Sequence, residues 1–125
     1  MNNYSYRGVT MKVAIATDDK LTISHHFGRT LGFRVFEIKD NKIVGEEYRE
    51  NIGKNNGQCG SCDHSSMIAN IKDCDLVVCY GMGQGIYNDL VRHNIKAVIT
   101  EEETVDNAII CLMKDDLVNR LDRLH

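Results

Sequence analysis

The chain of 125 residues has no proline, no tryptophan, no long apolar run and no block of like charges. Its apolar runs are too short to cross a bilayer as helices, which argues against a membrane protein. The net charge of −3 comes from 15 lysines and arginines against 18 aspartates and glutamates, a balance that argues against nucleic-acid binding. With 42% hydrophobic residues, the chain is expected to fold as a single domain.

The first ten residues are polar and lack the apolar centre that a secretory signal requires. We expect residues 1–10 to form a flexible N-terminal extension and residues 11–125 to form the domain. Five cysteines are an odd number, which argues against a disulfide framework and for reduced thiols that can bind metal. These features predict a cytoplasmic protein.

Along the chain, short apolar runs that are typical of buried strands alternate with segments whose apolar residues are spaced as on one face of a helix. Strands are predicted at 12–17, 33–38, 42–49, 76–80 and 97–100. Helical spacings begin near Ser65, Ile86 and Thr104. The last one continues through Leu117, Leu121 and Leu124, so a helix is expected there. An antiparallel start followed by βα units predicts a three-layer α/β/α domain with a mixed sheet of five strands.

Two polar residues are expected at helix ends. Asn94 is placed to close the second helix in the left-handed conformation, and Thr104 is placed to cap the third. Three cysteines fall inside or next to predicted strands and helices, where free cysteine usually behaves as a small buried hydrophobe. These expected core residues are Cys74, Cys79 and Cys111.

A segment without periodicity, residues 50–63, carries the most informative pattern, a C-x-x-C pair followed by a histidine. The residues are Cys59, Cys62 and His64. Two thiols at this spacing can bind one metal or cluster, and the histidine is close enough to join them. A closed zinc site needs four ligands, so the others must come from elsewhere or from the bound species. Incidental thiols in a loop are the alternative.

A redox dithiol of the thioredoxin kind is the other standard interpretation of C-x-x-C. Thioredoxin-like domains place the motif directly after a strand and face it with a cis-proline. Because this chain has no proline, that interpretation fits poorly.

Residues 24–29, Ser-His-His-Phe-Gly-Arg, lie in the loop after the first predicted strand. The adjacent His25 and His26 can present one imidazole as a metal ligand and leave the other to orient it. A solvated histidine pair is the alternative. The metal hypothesis gains weight because this loop and the Cys59 loop can reach the same end of the sheet.

Residues 81–85, Gly-Met-Gly-Gln-Gly, are predicted to turn from a buried strand into a helix, where open α/β sheets bind ligands. Backbone N–H groups at such a place favour an anion, although a plain tight turn is the alternative. The dinucleotide fingerprint is absent because Ile86 stands at its last small-residue position. A P-loop and a Gly-x-Ser-x-Gly elbow are absent too, so the sequence gives no support to a nucleotide triphosphatase or a hydrolase.

Together these motifs resemble those of the dinitrogenase iron-molybdenum cofactor biosynthesis family, which includes NifX, NafY and the carboxyl-terminal domain of NifB. The resemblance spans about residues 11–113 and is most specific at Ser-x-His-Phe-Gly-Arg. It implies a ribonuclease H-like α/β/α fold and a role in binding or carrying iron-sulfur or iron-molybdenum clusters during assembly rather than in catalysis, so the resemblance does not predict an enzyme. It does not by itself imply a link to nitrogen fixation.

The resemblance and the ligand chemistry together give a set of candidate site residues. The metal ligands would be His26, Cys59, Cys62 and His64. The groups that offset cluster charge would be Arg29 and the amides of Gly81, Gly83 and Gly85. Asn94 replaces the glycine that usually ends the second helix in the family, a change that the left-handed conformation tolerates. Ser61 and Asp63 stand where glycine or alanine is common in the family. They leave the shape of the loop open.

Three functions therefore remain in view, the third being an interaction module that has lost its ligand. The first is a small cluster carrier that works with metallocluster donor and acceptor proteins. The second is a zinc-binding structural or regulatory domain that uses the same cysteines and histidines. The bound cluster, its donor and acceptor, and the oligomeric state are not fixed by the sequence.

Overall fold

The computed structural model describes residues 10–51, 65–114 and 116–120. The strands are β1 (Thr10–Thr17), β2 (Gly32–Lys39), β3 (Lys42–Glu50), β4 (Leu76–Cys79) and β5 (Lys96–Ile99). The helices are α1 (Ser65–Ile71), α2 (Gln84–Arg92) and α3 (Val105–Met113), with a short 3-10 turn at Phe27–Arg29. The predicted order of strands and helices along the chain is confirmed.

The five strands form one mixed sheet in the order β3-β2-β1-β4-β5. β1 pairs antiparallel with β2, and β2 pairs antiparallel with β3. β4 runs parallel to β1 and to β5, as the helical crossovers between these strands require. The β2–β3 turn is made by Asp40 and Asn41, both with positive φ, the conformation that suits a two-residue hairpin loop. The mixed five-stranded sheet is confirmed.

Two apolar clusters lie on opposite faces of the sheet and make it the middle of three layers. On one face, α1 and α2 pack against side chains that include Ala14 and Val77. On the other face, α3 packs against side chains that include Val13 and Val98. Because successive strand residues point to opposite faces, the central strand β1 contributes to both clusters and is buried on both sides.

The predicted helix ends are confirmed. The backbone N–H of Asn107 donates to Thr104 Oγ1 at 3.2 Å, which satisfies one free donor at the start of α3. Asn94 follows α2 with φ of 60°, and the N–H of Ile95 donates to the Leu90 carbonyl at 2.9 Å. Each polar residue satisfies backbone groups that the helix leaves without a partner.

The helix expected through Leu117 is absent, because α3 ends at Met113 and residues 116–120 run alongside the outer edge of β5. The Asn119 amide donates to the Ala97 carbonyl at 3.2 Å and accepts from the Ile99 N–H at 2.9 Å. The Arg120 N–H donates to the Ile99 carbonyl at 2.7 Å. These bonds satisfy edge groups that a continuing helix would leave open.

The chain ends fit the sequence expectations only in part. Leu121 and Leu124, also expected in that last helix, lie outside the described residues. Thr10, which the sequence assigned to the extension, is the first residue of β1 and pairs with Lys39. None of the three described helices has the length and apolarity needed to cross a membrane.

Replacing Gly32 tests the close contact at the start of β2. A Cβ added there would lie 2.7 Å from the Arg49 carbonyl oxygen and would also meet the Tyr48 ring. Gly32→Ala should therefore lower the free energy of unfolding by about 1–3 kcal/mol, measured by urea denaturation. Gly85→Ala is the control, because a Cβ at that position meets nothing within 4 Å. Equal stability of the Gly32→Ala protein and the parent would contradict this account.

The ion pairs of Asp73 predict a pH dependence of stability. Hydrogen bonds from Arg49, at 2.7 and 2.9 Å, and from Lys12 hold the pKa of Asp73 well below its usual range. The carboxylate therefore stabilises the fold above the unfolded-state pKa of about 3.9, and this contribution is lost as the pH falls toward the lower folded-state pKa.

We expect Asp73→Asn to cost about 1 kcal/mol or less at pH 7, because the Asp73 side chain is 44% exposed and solvent screens its charge. The stability difference from the parent should shrink below about pH 4, as followed by urea denaturation across pH. Asp106→Asn, in a pair whose carboxylate is 74% exposed, should have a smaller effect. A difference that grows on acidification would contradict the assignment.

Candidate functional site

Three loops meet at the edge of the sheet where the parallel strands β1, β4 and β5 end. The N–H of Phe27, in the loop after β1, donates to the Gly81 carbonyl after β4 at 3.1 Å. The N–H of Ile23 donates to the Glu103 carbonyl after β5 at 2.9 Å. The carboxyl ends of parallel strands are the usual ligand-binding edge of such sheets, so this junction is the place to look for a site.

The loop after β1, residues 18–31, is called the β1 loop, and Asp19 organises its first part. Its carboxylate accepts from the backbone N–H groups of Thr22 at 2.7 Å and Leu21 at 2.9 Å. These hydrogen bonds, strengthened by the Thr22 hydroxyl, lower the pKa of Asp19 to about 2. Asp19 is therefore ionised at neutral pH, and its role is to shape the loop.

The end of the same loop is fixed to the end of β3. Asn51 donates from its side-chain amide to the Thr30 carbonyl and from its backbone N–H to the Leu31 carbonyl, each at 2.9 Å. Strand register places Thr17, Gly32 and Glu50 at one edge of the sheet. Sequence reasoning missed Asn51, because a polar residue between a strand and a loop carries no motif.

A cavity of about 440 Å³ opens in the β1 loop. Its lining residues are Asp18, Thr22, Ile23, Ser24, His25, His26 and Arg29. The side chains of His25, His26 and Arg29 are exposed, while Ile23 and Ser24 are buried and form its floor. The predicted site residues His26 and Arg29 are thus brought together in one open depression, beside a second imidazole.

His25 is held by a ring contact with Tyr80, the residue that follows β4. The two ring centroids lie 4.3 Å apart with 24° between the ring planes, so the imidazole is stacked on the phenol. The backbone hydrogen bond from Phe27 to Gly81 lies next to this contact and joins the same two loops. Tyr80 was also missed by sequence reasoning, since its relation to His25 exists only in the folded chain.

The glycine-rich turn is shorter than predicted, because α2 begins at Gln84 and includes Gly85 in its first turn. Gly83 is the N-cap and supplies no side-chain cap, while Gly81 is buried and bonded to Phe27. A Cβ on Gly28 would lie 3.2 Å from Ile86 Cδ1, so the 3-10 turn packs on the start of α2. The N-terminus of α2 is therefore close to the β1 loop, so its backbone N–H groups can offset the negative charge of an anion bound near His26.

The predicted ligands Cys59, Cys62 and His64 lie outside the described residues, so their distance from His26 stays a prediction. Within residues 10–51, 65–114 and 116–120, no group of three or more acidic, histidine or cysteine side chains is placed to hold a metal ion. The described part of the cavity thus supplies imidazoles and an arginine, and it does not form a closed metal site.

The other three cysteines are poor candidates for metal ligands. Cys74 and Cys79 are buried as predicted, and desolvation raises the pKa of each thiol to about 12. Cys111 is only partly buried, in contrast to its expected place in the core, and burial raises its pKa. Since a thiolate is the metal-binding form, these protonated thiols are ill suited to bind metal.

Comparisons with known proteins agree with the fold and with the family resemblance. Residues 9–115 match the family described as dinitrogenase iron-molybdenum cofactor. An uncharacterized protein of Methanocaldococcus jannaschii is 25% identical over 107 residues, which cover 86% of this chain and 89% of that protein.

Two solved structures are also similar. A candidate dinitrogenase of Methanocaldococcus jannaschii has a TM-score of 0.70 and 22% identity, with 90% of this chain and 97% of that chain covered. The apo form of the orange protein from Desulfovibrio gigas has a TM-score of 0.71 and 16% identity, with 94% and 96% covered. At these identities the likeness to solved structures concerns the fold.

Replacing Asp19 tests whether the carboxylate shapes the loop. In Asp19→Ala, the backbone amide hydrogens of Leu21 and Thr22 should exchange with solvent faster than in the parent, as measured by NMR. Because the folded-state pKa of Asp19 is about 2, the parent loop should keep its protection as the pH falls and lose it only near that value. Unchanged exchange in the variant would show that the carboxylate is dispensable.

Proposed function

Because the chain belongs to the dinitrogenase iron-molybdenum cofactor family, we propose that it binds or carries an iron-sulfur or iron-molybdenum cluster during metallocofactor assembly. The cluster is cargo in this proposal, received from a donor protein and passed to an acceptor protein. The chain would act as a carrier rather than as an enzyme. The comparisons do not favour the zinc-binding alternative.

One observation supports this proposal above the others, the attachment of Asn51 to Thr30 and Leu31. It fixes the residue from which the cysteine-bearing segment departs next to the loop that carries His26 and Arg29. Cys59 lies only eight residues beyond Asn51, and a chain can span at most about 28 Å over that length. Thiols and imidazole can therefore reach one cavity without any change in the sheet.

The chemistry of these groups suits a cluster that must be passed on. Thiolates are the usual ligands of iron-sulfur clusters, and imidazoles can replace some of them. Cys59, Cys62, His64 and His26 would supply fewer sulfur ligands than a dedicated four-cysteine site. Arg29 and the N-terminus of α2 would offset the negative charge of the cargo. Incomplete ligation by the protein leaves metal positions for the ligands of an acceptor.

The proposal also covers the fold class and the cellular compartment. We assign the domain to the ribonuclease H-like class, supported by the strand order β3-β2-β1-β4-β5 with β2 antiparallel to its neighbours. We also place the protein in the cytoplasm, supported by the free thiols Cys74, Cys79 and Cys111, which a reducing compartment maintains.

Anaerobic reconstitution with ferrous iron and sulfide tests the proposed function. The parent protein should gain visible-region absorbance together with iron and acid-labile sulfide. Cys59→Ala/Cys62→Ala should lose most of that signal, because the cluster would lose its sulfur ligands. Iron, sulfide and zinc analysis of the same samples measures what each protein holds.

Cys111→Ser is the matched control, since it removes one thiol from α3 that does not line the cavity. It should take up as much iron and sulfide as the parent. If the parent holds one tightly bound zinc and no iron, the zinc alternative replaces the carrier. Equal spectra of the parent and the double variant would remove the cysteine pair from the proposed site.

A further inference from the structure

The two adjacent imidazoles of the site are held very differently. The His25 ring is stacked on Tyr80, with a centroid distance of 4.3 Å. The His26 imidazole makes no hydrogen bond and no ring contact with any other residue in the described part of the chain. Its backbone carries the local contacts instead, since the His26 carbonyl accepts from the Arg29 N–H at 3.0 Å. Among the described residues, a neighbouring ring therefore orients the His25 imidazole, and no side-chain contact orients the His26 imidazole.

The stacked geometry leaves the coordinating atoms of His25 usable. Stacking covers one face of the imidazole, whereas both ring nitrogens have their lone pairs or protons in the ring plane. With only 24° between the two planes, those nitrogens point along the Tyr80 surface rather than into it. His25 also lines the 440 Å³ cavity beside His26. Stacking on Tyr80 therefore does not cover the in-plane nitrogens through which His25 would bind a metal.

Tyr80, on which the His25 ring stacks, directly follows a buried strand of the sheet. Tyr80 directly follows Cys79, the last residue of β4, which is fully buried. The N–H of Phe27, a buried residue two positions after His25, donates to the carbonyl of Gly81. This hydrogen bond joins the β1 loop to the end of β4 next to the ring pair, which restrains the imidazole relative to the sheet.

We propose that His25 is a ligand of the bound cluster and that Tyr80 is its positioning residue. This rests on the function proposed above and adds an imidazole to the ligands that the family resemblance suggests. Mutation of a group that orients a metal-binding imidazole typically lowers metal affinity by about 10- to 100-fold. Pre-orientation lowers the entropy that must be lost when the cluster binds, which favours His25 as a ligand.

Iron release from the full-length protein, reconstituted anaerobically with iron and sulfide, tests this assignment. A ferrous chelator is added and the loss of visible absorbance is followed over time. His25→Ala and Tyr80→Leu should each release iron about tenfold faster than the parent, the lower end of the range for lost orienting contacts. Tyr80→Phe keeps the ring and should release iron at nearly the parent rate.

His93→Ala is the matched control, because His93 lies at the opposite end of α2 from the glycine turn and does not line the cavity. It should release iron at the parent rate. If His25→Ala also matches the parent, His25 is not a ligand. If Tyr80→Phe and Tyr80→Leu release iron equally fast, the ring has no positioning role.

Pulsed EPR of the reduced cluster supplies a readout that a purely structural role would not change. In a His26→Ala/His64→Ala background, nitrogen coupling to the cluster should persist, and it should vanish when His25 is replaced as well. Absence of coupling in the first background would overturn the assignment. A parent protein that takes up no cluster would instead refute the proposed function, so the two failures are distinguishable.

Discussion

The backbone hydrogen bonds that join the β1 loop to the loops after β4 and β5 are the constraint on which the candidate site depends. Phe27 bonds to Gly81, Ile23 bonds to Glu103, and each bond connects segments that are far apart in sequence. Because β1 lies between β2 and β4 in the centre of the sheet, these bonds attach the loop to the ends of buried strands. A loop rich in polar residues is thereby given a defined shape, with its histidines on the outside.

The same arrangement separates the cysteines by chemical role. The thiols of Cys74 and Cys79 are enclosed in the apolar layer under α1 and α2, where the thiolate is disfavoured. The C-x-x-C pair follows Asn51, which is bonded to the loop around the cavity. In the cluster carrier proposed above, the C-x-x-C pair would supply the sulfur ligands, while the thiols of Cys74 and Cys79 would stay protonated in the core.

Much of the fold could be predicted from the sequence, because strands such as β1 and β4 are short apolar runs and the apolar residues of the helices recur at helical spacing. The cap at Thr104 and the left-handed Asn94 also follow from local chemistry. The helix through Leu117 was wrong, since apolar spacing cannot reveal that Asn119 pairs with a sheet edge. In the site, His26 and Arg29 are recognisable from their motif. Tyr80 and Asn51 are not, because their roles arise from contacts between distant segments.

The position of Asn119 also bears on how the domain behaves toward other chains. The edge strand of a sheet can pair with a strand of another chain unless its outward N–H and C=O groups are already hydrogen-bonded. Here a single carboxamide imitates the peptide group of an absent neighbour, accepting from Ile99 and donating to Ala97. Within the described residues, the outer side of β5 is thus bonded by the Asn119 side chain and the Arg120 N–H, and a chain cut short before that asparagine would leave these groups of β5 open to pairing with a strand of another chain.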